Sequence, residues 1–361
     1  MIFGKGYFMK IGVLGATGHV GKGALRVLDK TDHKISAYYH SPQKAEVMKA
    51  EFSDKVIFKH IDIYDEELLN AACGECDMII NCTGPSGKIM NRIAVLCMKE
   101  NKIYIDVSGG KNLKQMMETE FSFGKNGTCV LGAGIYPGLT EILAGYIVQK
   151  NPQLQELKLY FYGNSPLSEI AAYDIVAGME ESNGGMSYVR NGKITKLAGG
   201  GTNEGNKIAP FDKLITMPVL SDEFYSLVCK KKIPKAYFYH SFQNDKALMD
   251  FIMIKAMEQY KTEEQKKASA TKIQQLFFCK DRPKEVCIIV EYKIDDSIHY
   301  FKLESEEDWS LITGYVAGLT AVFLAGAENI HNGVNYVAEV VEPEEIIKSI
   351  NKICQINMDE W

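Results

Sequence analysis

The sequence MKIGVLGATGHVG, residues 9–21, predicts a strand, a tight turn and the start of a helix in direct succession. The apolar run Ile11–Leu14 is typical of a buried strand, and apolar residues recur at helical spacing over residues 20–28. Glycine permits positive φ and lets a ligand approach the backbone closely, and the free amides of a helix N-terminus attract an anion. The stretch therefore predicts a phosphate-binding turn built on Gly12, Gly15 and Gly18.

The glycine spacing, GxxGxxG, differs from the GxGxxG of the common dinucleotide fingerprint, so the surrounding sequence must support the interpretation. Five further strands are predicted along the next 110 residues, each separated from the next by a helical pattern. They are residues 34–39, 56–61, 78–81, 103–107 and 128–131. Alternating strands and helices predict an α/β, Rossmann-type, doubly wound parallel sheet with strand order 3-2-1-4-5-6, which favours a dinucleotide site.

The pattern changes after Asn151-Pro152. Two hairpins are predicted, one over residues 186–197 with its turn at Asn191-Gly192 and one over residues 285–303. Hairpins mixed with amphipathic helices predict an α+β domain. We expect a dinucleotide-binding domain over residues 1–137, completed by residues 309–361, and a substrate and dimerisation domain over residues 138–308, in a homodimer.

The composition excludes several classes of protein. A net charge of −5 argues against a nucleic-acid partner. The longest apolar run, residues 315–327, is shorter than a bilayer span, and no signal-peptide pattern opens the chain, so no membrane partner is expected. Nine cysteines suit the reducing cytoplasm, and the Cys73/Cys76 pair lacks a second ligand pair, so no metal is expected. The functional start is either Met1 or Met9.

The end of the second predicted strand has the sequence YHSPQK, residues 39–44, and contains no carboxylate. Enzymes that use NAD place an acidic residue here to bind the ribose 2′-hydroxyl, and this residue would repel a 2′-phosphate. A hydroxyl, an imidazole and a lysine at a helix start can instead hold a phosphate dianion. We therefore expect NADP(H) rather than NAD(H), held through His40, Ser41 and Lys44.

Four segments in this order resemble the saccharopine dehydrogenase family of NAD(P)-dependent oxidoreductases. They are GATGHVG (15–21), NCTGP (81–85), YIDVSG (104–109) and GAGIYPGL (132–139). The resemblance covers about the first 150 residues and is weaker beyond them. It implies a Rossmann cofactor domain, an α+β domain that shapes the substrate site and often the dimer, and reversible hydride transfer at a carbon bonded to an amino nitrogen of an amino-acid-like substrate.

The resemblance and the predicted sheet edge together give a candidate site. The cofactor residues would be Gly12, Gly15, Ala16, Thr17, Gly18, His19, Val20, His40, Ser41, Lys44, Asp62, Cys82, Thr83, Gly84, Pro85 and Ser108. Asp106 and Tyr136 follow the fifth and sixth strands at the carboxyl edge and are the candidate catalytic residues, although Asp106 can equally cap its own turn. Arg190 is the candidate carboxylate anchor, and a solvated hairpin arginine is its alternative.

Two alternative functions stay open at this stage. Tyr146 and Lys150 form the YxxxK pair that short-chain carbonyl reductases use, although the serine of those enzymes is missing from the preceding strand. The other alternative is a non-catalytic protein that senses NADP(H), as some proteins of NmrA type do.

Overall fold

The computed structural model describes residues 8–121, 127–180, 185–197, 208–354 and 356–361. These fold as two compact units. The first comprises the chain up to Ile142 together with Ser310–Ile353, and the second comprises Leu143–Trp309 together with Cys354–Trp361.

The strands are β1 (Lys10–Leu14), β2 (Lys34–Tyr39), β3 (Val56–His60), β4 (Met78–Asn81), β5 (Ile103–Asp106), β6 (Thr128–Leu131), β7 (Glu156–Asn164), β8 (Ser187–Arg190), β9 (Lys193–Lys196), β10 (Ile215–Val219), β11 (Lys235–Phe242), β12 (Glu285–Ile294), β13 (Ser297–Ser305), β14 (Gly333–Tyr336) and β15 (Asn357–Glu360). The helices are α1 (His19–Leu28), α2 (Pro42–Lys49), α3 (Glu66–Glu75), α4 (Ser86–Ile89), α5 (Arg92–Lys99), α6 (Lys111–Glu120), α7 (Leu139–Lys150), α8 (Glu169–Gly178), α9 (Asp222–Lys231), α10 (Asp245–Ala256), α11 (Glu263–Leu276), α12 (Trp309–Gly326), α13 (Val337–Val340) and α14 (Pro343–Ile353).

The first unit is built on a seven-stranded sheet in the order β14-β6-β5-β4-β1-β2-β3. All its strand pairs are parallel. The predicted order 3-2-1-4-5-6 is confirmed, and the sheet gains β14, which the sequence analysis did not predict. Because the strands are parallel, their carboxyl ends share one edge, where dinucleotide sites lie in open α/β sheets.

Two residues with left-handed backbone conformation delimit α5. Met90, between α4 and α5, has a φ of 51°, so the helical pattern between β4 and β5 forms two helices. Asn101, after α5, has a φ of 54°.

Helix α12 returns to the first unit and packs closely against α1. A Cβ added at Gly314 would lie 2.7 Å from the backbone nitrogen of Ala24, so only glycine lets the two helices approach this closely. The 18 residues of α12 have a mean hydropathy of 1.5, enough in length and composition to cross a bilayer, which corrects the prediction that this run is too short. Two-thirds of the helix (67%) is buried in the fold, as in the core helix of a soluble domain.

The second unit is an eight-stranded mixed sheet with helices, as the α+β prediction stated. Its strand order is β15-β13-β12-β7-β11-β8-β9, and β10 pairs with β11. The β8–β9 turn is formed by Asn191 and Gly192 with φ 49° and 72°, the positive values that a tight hairpin requires.

The predicted boundaries shift at both junctions. The first unit continues to Ile142 instead of ending at residue 137. At the other end, residues 354–361 were expected in the dinucleotide-binding domain but belong to the second unit, because β15 pairs with β13 and completes the second sheet.

Candidate functional site

The turn between β1 and α1 has the shape of an anion cradle. Gly15 has φ 74°, and a Cβ at this position would lie 2.7 Å from the carbonyl oxygen of Cys82, so both conformation and space require glycine. Gly18 is the N-cap of α1. An added Cβ there would meet only the carbonyl oxygen of Gly15 at 3.4 Å, so the space before the helix is otherwise open.

The amides of this turn divide into two groups. The Ala16 amide donates to the carbonyl of Tyr38 and the Gly18 amide to that of Gly15, both at 3.0 Å. These two bonds fix the shape of the turn. Helix geometry provides no acceptor for the first amides of α1, so those of His19 and Val20, with that of Thr17 in the turn, are the candidate donors to a pyrophosphate.

Gly12 is tightly packed in the core of the sheet, and its role in cofactor binding stays a prediction. It lies in the middle of β1 and is fully enclosed between β2 and β4. A Cβ at Gly12 would lie 2.6 Å from Cδ1 of Ile79 and 3.0 Å from both the Cys76 sulfur and the Tyr38 ring. The glycine is therefore needed to admit these core side chains.

The carboxyl ends of β2 and β3 bring together aromatic rings and an imidazole pair. The rings of His40 and His60 stack with centroids 6.1 Å apart, and the Tyr39 ring meets His60 edge-on at 5.7 Å. Ser41 is the N-cap of α2 and donates to Oε1 of Gln43 at 3.3 Å. The sequence analysis missed His60, whose signal was its position as the last residue of β3.

Lys44 and Asp62 complete this corner of the sheet. Lys44 is exposed in the first turn of α2, so its ammonium can reach a phosphate there. Asp62 follows β3, and its Oδ1 accepts the amide of Tyr64 at 2.9 Å. Its Oδ2 takes no part in that hydrogen bond. The corner therefore offers hydroxyl, imidazole and ammonium groups to a ribose phosphate.

Asp106 caps its own turn, as the alternative describes, and its catalytic role stays a prediction. Its side chain is 3% exposed. One carboxylate oxygen accepts the amide of Ser108 at 3.0 Å and its hydroxyl at 2.9 Å. The other accepts the Asn81 side-chain amide at 3.1 Å and the Tyr104 hydroxyl. Four donors occupy the carboxylate, so it is committed to capping its turn and joining β4 to β5.

Asn81 organises the neighbouring turn in the same way. Its side-chain oxygen accepts the backbone amide of Thr83 at 3.0 Å and the Thr83 hydroxyl, while its amide group donates to Asp106 and to Tyr104. The turn of residues 82–85 is half-buried at the carboxyl edge, next to Gly15. Burial, with the charge of Asp106, raises the pKa of the Cys82 thiol, so this cysteine stays protonated at neutral pH.

The loop after β6 is pinned by a buried glutamate that the sequence analysis missed. One oxygen of Glu141 accepts the Gly138 amide and the Thr140 hydroxyl, both at 2.7 Å. Its other oxygen is buried without a hydrogen-bond partner among the described residues. Burial raises the pKa of this carboxyl. The signal in the sequence was a single carboxylate within the otherwise apolar first turns of α7.

Tyr136 lies half-buried in this loop, and its catalytic role stays a prediction. The loop closes on itself where the Gly134 amide donates to the carbonyl of Pro137 at 3.1 Å. Thr313 of α12 accepts the amide of Ile135 at 3.4 Å. Helix α12, from the C-terminal part of the chain, therefore holds the loop that carries Tyr136.

Two further predictions concern the second unit. Arg190 is exposed at the end of β8, opposite Lys235 of β11, as the solvated alternative describes, and its role as an anchor stays a prediction. The Tyr146/Lys150 pair, on which the short-chain alternative depends, also stays a prediction. The ammonium of Lys150 lies over the Tyr146 ring, 4.5 Å from its centroid, and the ring packs edge-on against Phe301 at 5.9 Å.

Comparisons with known proteins agree with these features. The family profile of the saccharopine dehydrogenase NADP binding domain matches residues 11–130. Apo saccharopine dehydrogenase (L-Glu forming) from Saccharomyces cerevisiae has a similar fold, with a TM-score of 0.67, 14% identity, and coverage of 98% of this chain and 99% of that chain. A comparison with curated protein sequences finds no match.

Two partial structural matches have TM-scores too low to carry an argument. NmrA, a negative transcriptional regulator in complex with NADP, gives 0.24 at 19% identity over 27% of this chain and 33% of that chain. An imine reductase variant from Myxococcus stipitatus in complex with NAD+ gives 0.27 at 12% identity over 34% and 40%. Residues 11–130 therefore match the NADP binding domain of saccharopine dehydrogenase, and the fold of the whole chain is similar to that of the yeast enzyme.

Proposed function

We propose that this protein transfers a hydride between NADP(H) and the carbon of a C–N bond in an amino-acid-derived amine or imine. The observation that carries the proposal is the match of residues 11–130 to an NADP-binding domain of saccharopine dehydrogenase type. Hydride chemistry is supplied by the nicotinamide of the cofactor when it is bound. This chain's residues would bind and orient the cofactor and substrate and exclude water.

The residues present fit NADP(H). The open cradle at Gly18 faces the amides that begin α1, and no carboxylate occupies the end of β2, where it would repel a 2′-phosphate. We assign the 2′-phosphate to Ser41 and Lys44, with the His40 imidazole beside them. The turn of Thr83 and the loop of Tyr136 lie at the same carboxyl edge and would flank the nicotinamide.

Lys44→Ala tests this assignment. Loss of the ammonium should weaken NADPH binding by about 1 to 3 kcal/mol, the range for a charge-assisted hydrogen bond, and leave NADH binding unchanged. Dissociation constants for both cofactors, measured by fluorescence titration, give the preference. Lys49→Ala is the matched control, because Lys49 lies on the same helix and pairs with Glu46 at 3.2 Å. Equal affinities of the wild type for NADPH and NADH would refute the assignment.

The substrate class is tested by a screen of NADPH oxidation. Amino acids are paired with keto acids or aldehydes in the presence of NADPH, and oxidation above that with either partner alone identifies a reductive C–N reaction. Turnover with simple ketones but no amine would instead support a carbonyl reductase. Tight NADPH binding with no turnover across all pairs would support the alternative of an NADP(H)-sensing protein.

A further inference from the structure

Two histidines of the first unit lie together where β2 and β3 end. His40 directly follows β2, His60 is the last residue of β3, and both side chains are exposed. Their rings stack with centroids 6.1 Å apart and an angle of 27° between the planes. Among the residues that the structure describes, no side-chain hydrogen bond or ion pair engages either ring. We call these two side chains the imidazole pair.

Sheet register fixes the face on which His60 lies. His60 is opposite Tyr39 of β2, and the two rings meet edge-on at 5.7 Å. Lys59, one residue earlier, pairs with Glu75 of α3 at 2.7 Å. Successive side chains of a strand point to opposite faces, so His60 lies on the face away from that contact, beside His40 and the start of α2.

A hydrogen bond joins this corner of the sheet to the glycine turn. The Ala16 amide of the turn donates to the carbonyl of Tyr38, near the end of β2, at 3.0 Å. In open α/β sheets the pyrophosphate lies at the first turn and the adenosine ribose at the end of the second strand, so one dinucleotide spans both places. A 2′-phosphate bound at His40 therefore lies beside His60 as well, since the two rings stack.

The charges of this corner favour an anion. Lys44 is exposed in the first turn of α2, and that turn contains no acidic residue. The N-terminus of α2 adds the positive end of a helix dipole. Two imidazolium ions as close as those of the imidazole pair repel each other, and a bound phosphate dianion offsets this repulsion. Anion binding and protonation of the pair therefore favour each other.

We infer that His60 is a second imidazole contact of the 2′-phosphate, and that protonation of the imidazole pair determines how strongly the protein prefers NADPH to NADH. This inference rests on the proposed function for the position of the cofactor. It adds His60 to the contacts assigned to Ser41, Lys44 and His40. An imidazolium carries a positive charge and donates from both ring nitrogens, so the preference falls as the pH rises and the pair becomes neutral.

The other charged groups at this corner differ from imidazoles in the pH range over which they titrate. Tyr39, Lys44 and Asp62 face the imidazole pair from β2, α2 and the loop after β3. Phenol, ammonium and carboxylate groups ordinarily keep their charge between about pH 6.5 and 8.5, and a phosphate monoester is mainly a dianion there. His19 begins α1 at the pyrophosphate turn and acts on NADPH and NADH alike. A change of preference in this range therefore reports the imidazole pair.

The first experiment measures binding without turnover. Two fragments of the cofactor, 2′,5′-ADP and 5′-AMP, are titrated calorimetrically into the full chain at about pH 6.5 and 8.5. They differ only in the 2′-phosphate, so the ratio of their dissociation constants isolates its contribution. We expect the preference for 2′,5′-ADP to be larger at the lower pH by about fivefold or more. The same preference at both pH values would overturn the inference.

The second experiment removes the imidazole of His60. At about pH 6.5, His60→Gln should weaken 2′,5′-ADP binding by about fivefold or more and reduce its pH dependence. Binding of 5′-AMP should stay within about twofold, which also shows that the variant is folded. His331→Gln is the matched control, because His331 is exposed near the start of β14, at the amino edge of the same sheet. Equal effects of the two substitutions would contradict a role for His60.

A third variant separates phosphate binding from support of the His40 ring. His60→Phe keeps an aromatic ring beside His40 but has no charge and no donor. We expect it to weaken 2′,5′-ADP binding as much as His60→Gln does. Wild-type affinity and pH dependence in His60→Phe would show that His60 only packs against His40, and would overturn the inference.

Further outcomes separate this inference from the proposed function. If the wild type prefers 2′,5′-ADP at every pH and His60→Gln changes nothing, the assignment to Ser41 and Lys44 stands and the role of His60 fails. If the imidazole pair responds as expected but no amine pair oxidises NADPH, the inference stands and the proposed reaction fails. Equal affinity for 2′,5′-ADP and 5′-AMP at both pH values would overturn the inference together with the assigned 2′-phosphate site.

Discussion

At the scale of single residues, two buried carboxylates in the first unit have different surroundings. Asp106 accepts four hydrogen bonds from three residues, and both of its oxygens are occupied. Glu141 accepts two bonds on one oxygen, and its other oxygen is buried without a partner among the described residues. A buried carboxylate that is only partly satisfied resists ionisation.

Asp106→Asn should therefore destabilise the protein. An asparagine has one acceptor oxygen, so its NH2 group would face donors that now bond to Asp106, and each polar group left unsatisfied costs about 1 to 3 kcal/mol. The free energy of unfolding in urea measures the loss. Asp62→Asn is the control, since asparagine can still accept the single Tyr64 amide that Asp62 binds. Equal, small losses in the two variants would contradict the structural role of Asp106.

Glu141 should make stability depend on pH. Its pKa in the folded protein lies above the unfolded value of 4.5, so the folded state holds the proton more tightly. Stability should fall as the pH rises from about 4.5 through the raised pKa, by up to 1.4 kcal/mol per unit of pH. Glu141→Gln should lose this slope, because glutamine keeps the acceptor and cannot ionise. Unfolding between pH 4.5 and 8 measures it, with the exposed Glu100→Gln as control. An unchanged slope in Glu141→Gln would refute the assignment.

At the scale of elements, the contact between α1 and α12 supports the glycine turn that lies between β1 and α1. Gly23 and Gly314 face each other across this contact. Thr313, beside Gly314, accepts the amide of Ile135 in the loop after β6. One helix from the C-terminal part of the chain thus supports both α1, which starts at the glycine turn, and the loop that carries Tyr136.

Gly314→Ala should force α1 and α12 apart. The new methyl would collide with the backbone of Val20 and Ala24, and such overpacking costs about 1 to 3 kcal/mol. Gly326→Ala is the matched control on the same helix, because a Cβ there meets no atom within 4 Å. That change should be neutral or stabilising by up to about 1 kcal/mol through helix propensity. Urea unfolding measures both, and equal stability of the two variants would show that the helices do not rely on this contact.

At the scale of the whole molecule, the chain crosses between units more than once. The first unit takes Ser310–Ile353 from the C-terminal part, which supplies α12, β14 and α14. The last residues of the chain belong to the second unit, because β15 pairs with β13 there. Ligands that bind one unit should therefore protect segments that are far apart in sequence.

Hydrogen exchange should show this division. NADPH should slow amide exchange in residues 15–20 and 40–44 and in α12, since a ligand stabilises the unit that binds it. Exchange of the same chain with and without NADPH, measured by mass spectrometry at peptide level, makes the comparison. Protection by NADPH confined to residues 143–309 would contradict the assignment of the cofactor to the first unit.

Local rules were enough to predict much of this protein. Gly15 requires a left-handed conformation, Asn191-Gly192 closes a hairpin, and Ser41-Pro42 begins α2, because each depends on residues within a few positions. The alternation of strands and helices then determined the parallel sheet order, because helical crossovers force neighbouring strands to run in the same direction. The expectation of NADP(H) came from the same source, since it rests on six consecutive residues.

Only the tertiary structure decided what the buried polar groups do. Asn81 reaches Asp106 from β4, 25 residues earlier in the chain, and no rule of local spacing describes such a donor. The pairing of β14 with β6 and of β15 with β13 depends on contacts between segments about 50 to 200 residues apart in the chain. Which face a strand buries, and which donors remain unpaired there, follows from packing of the whole sheet, so the sequence alone left it open.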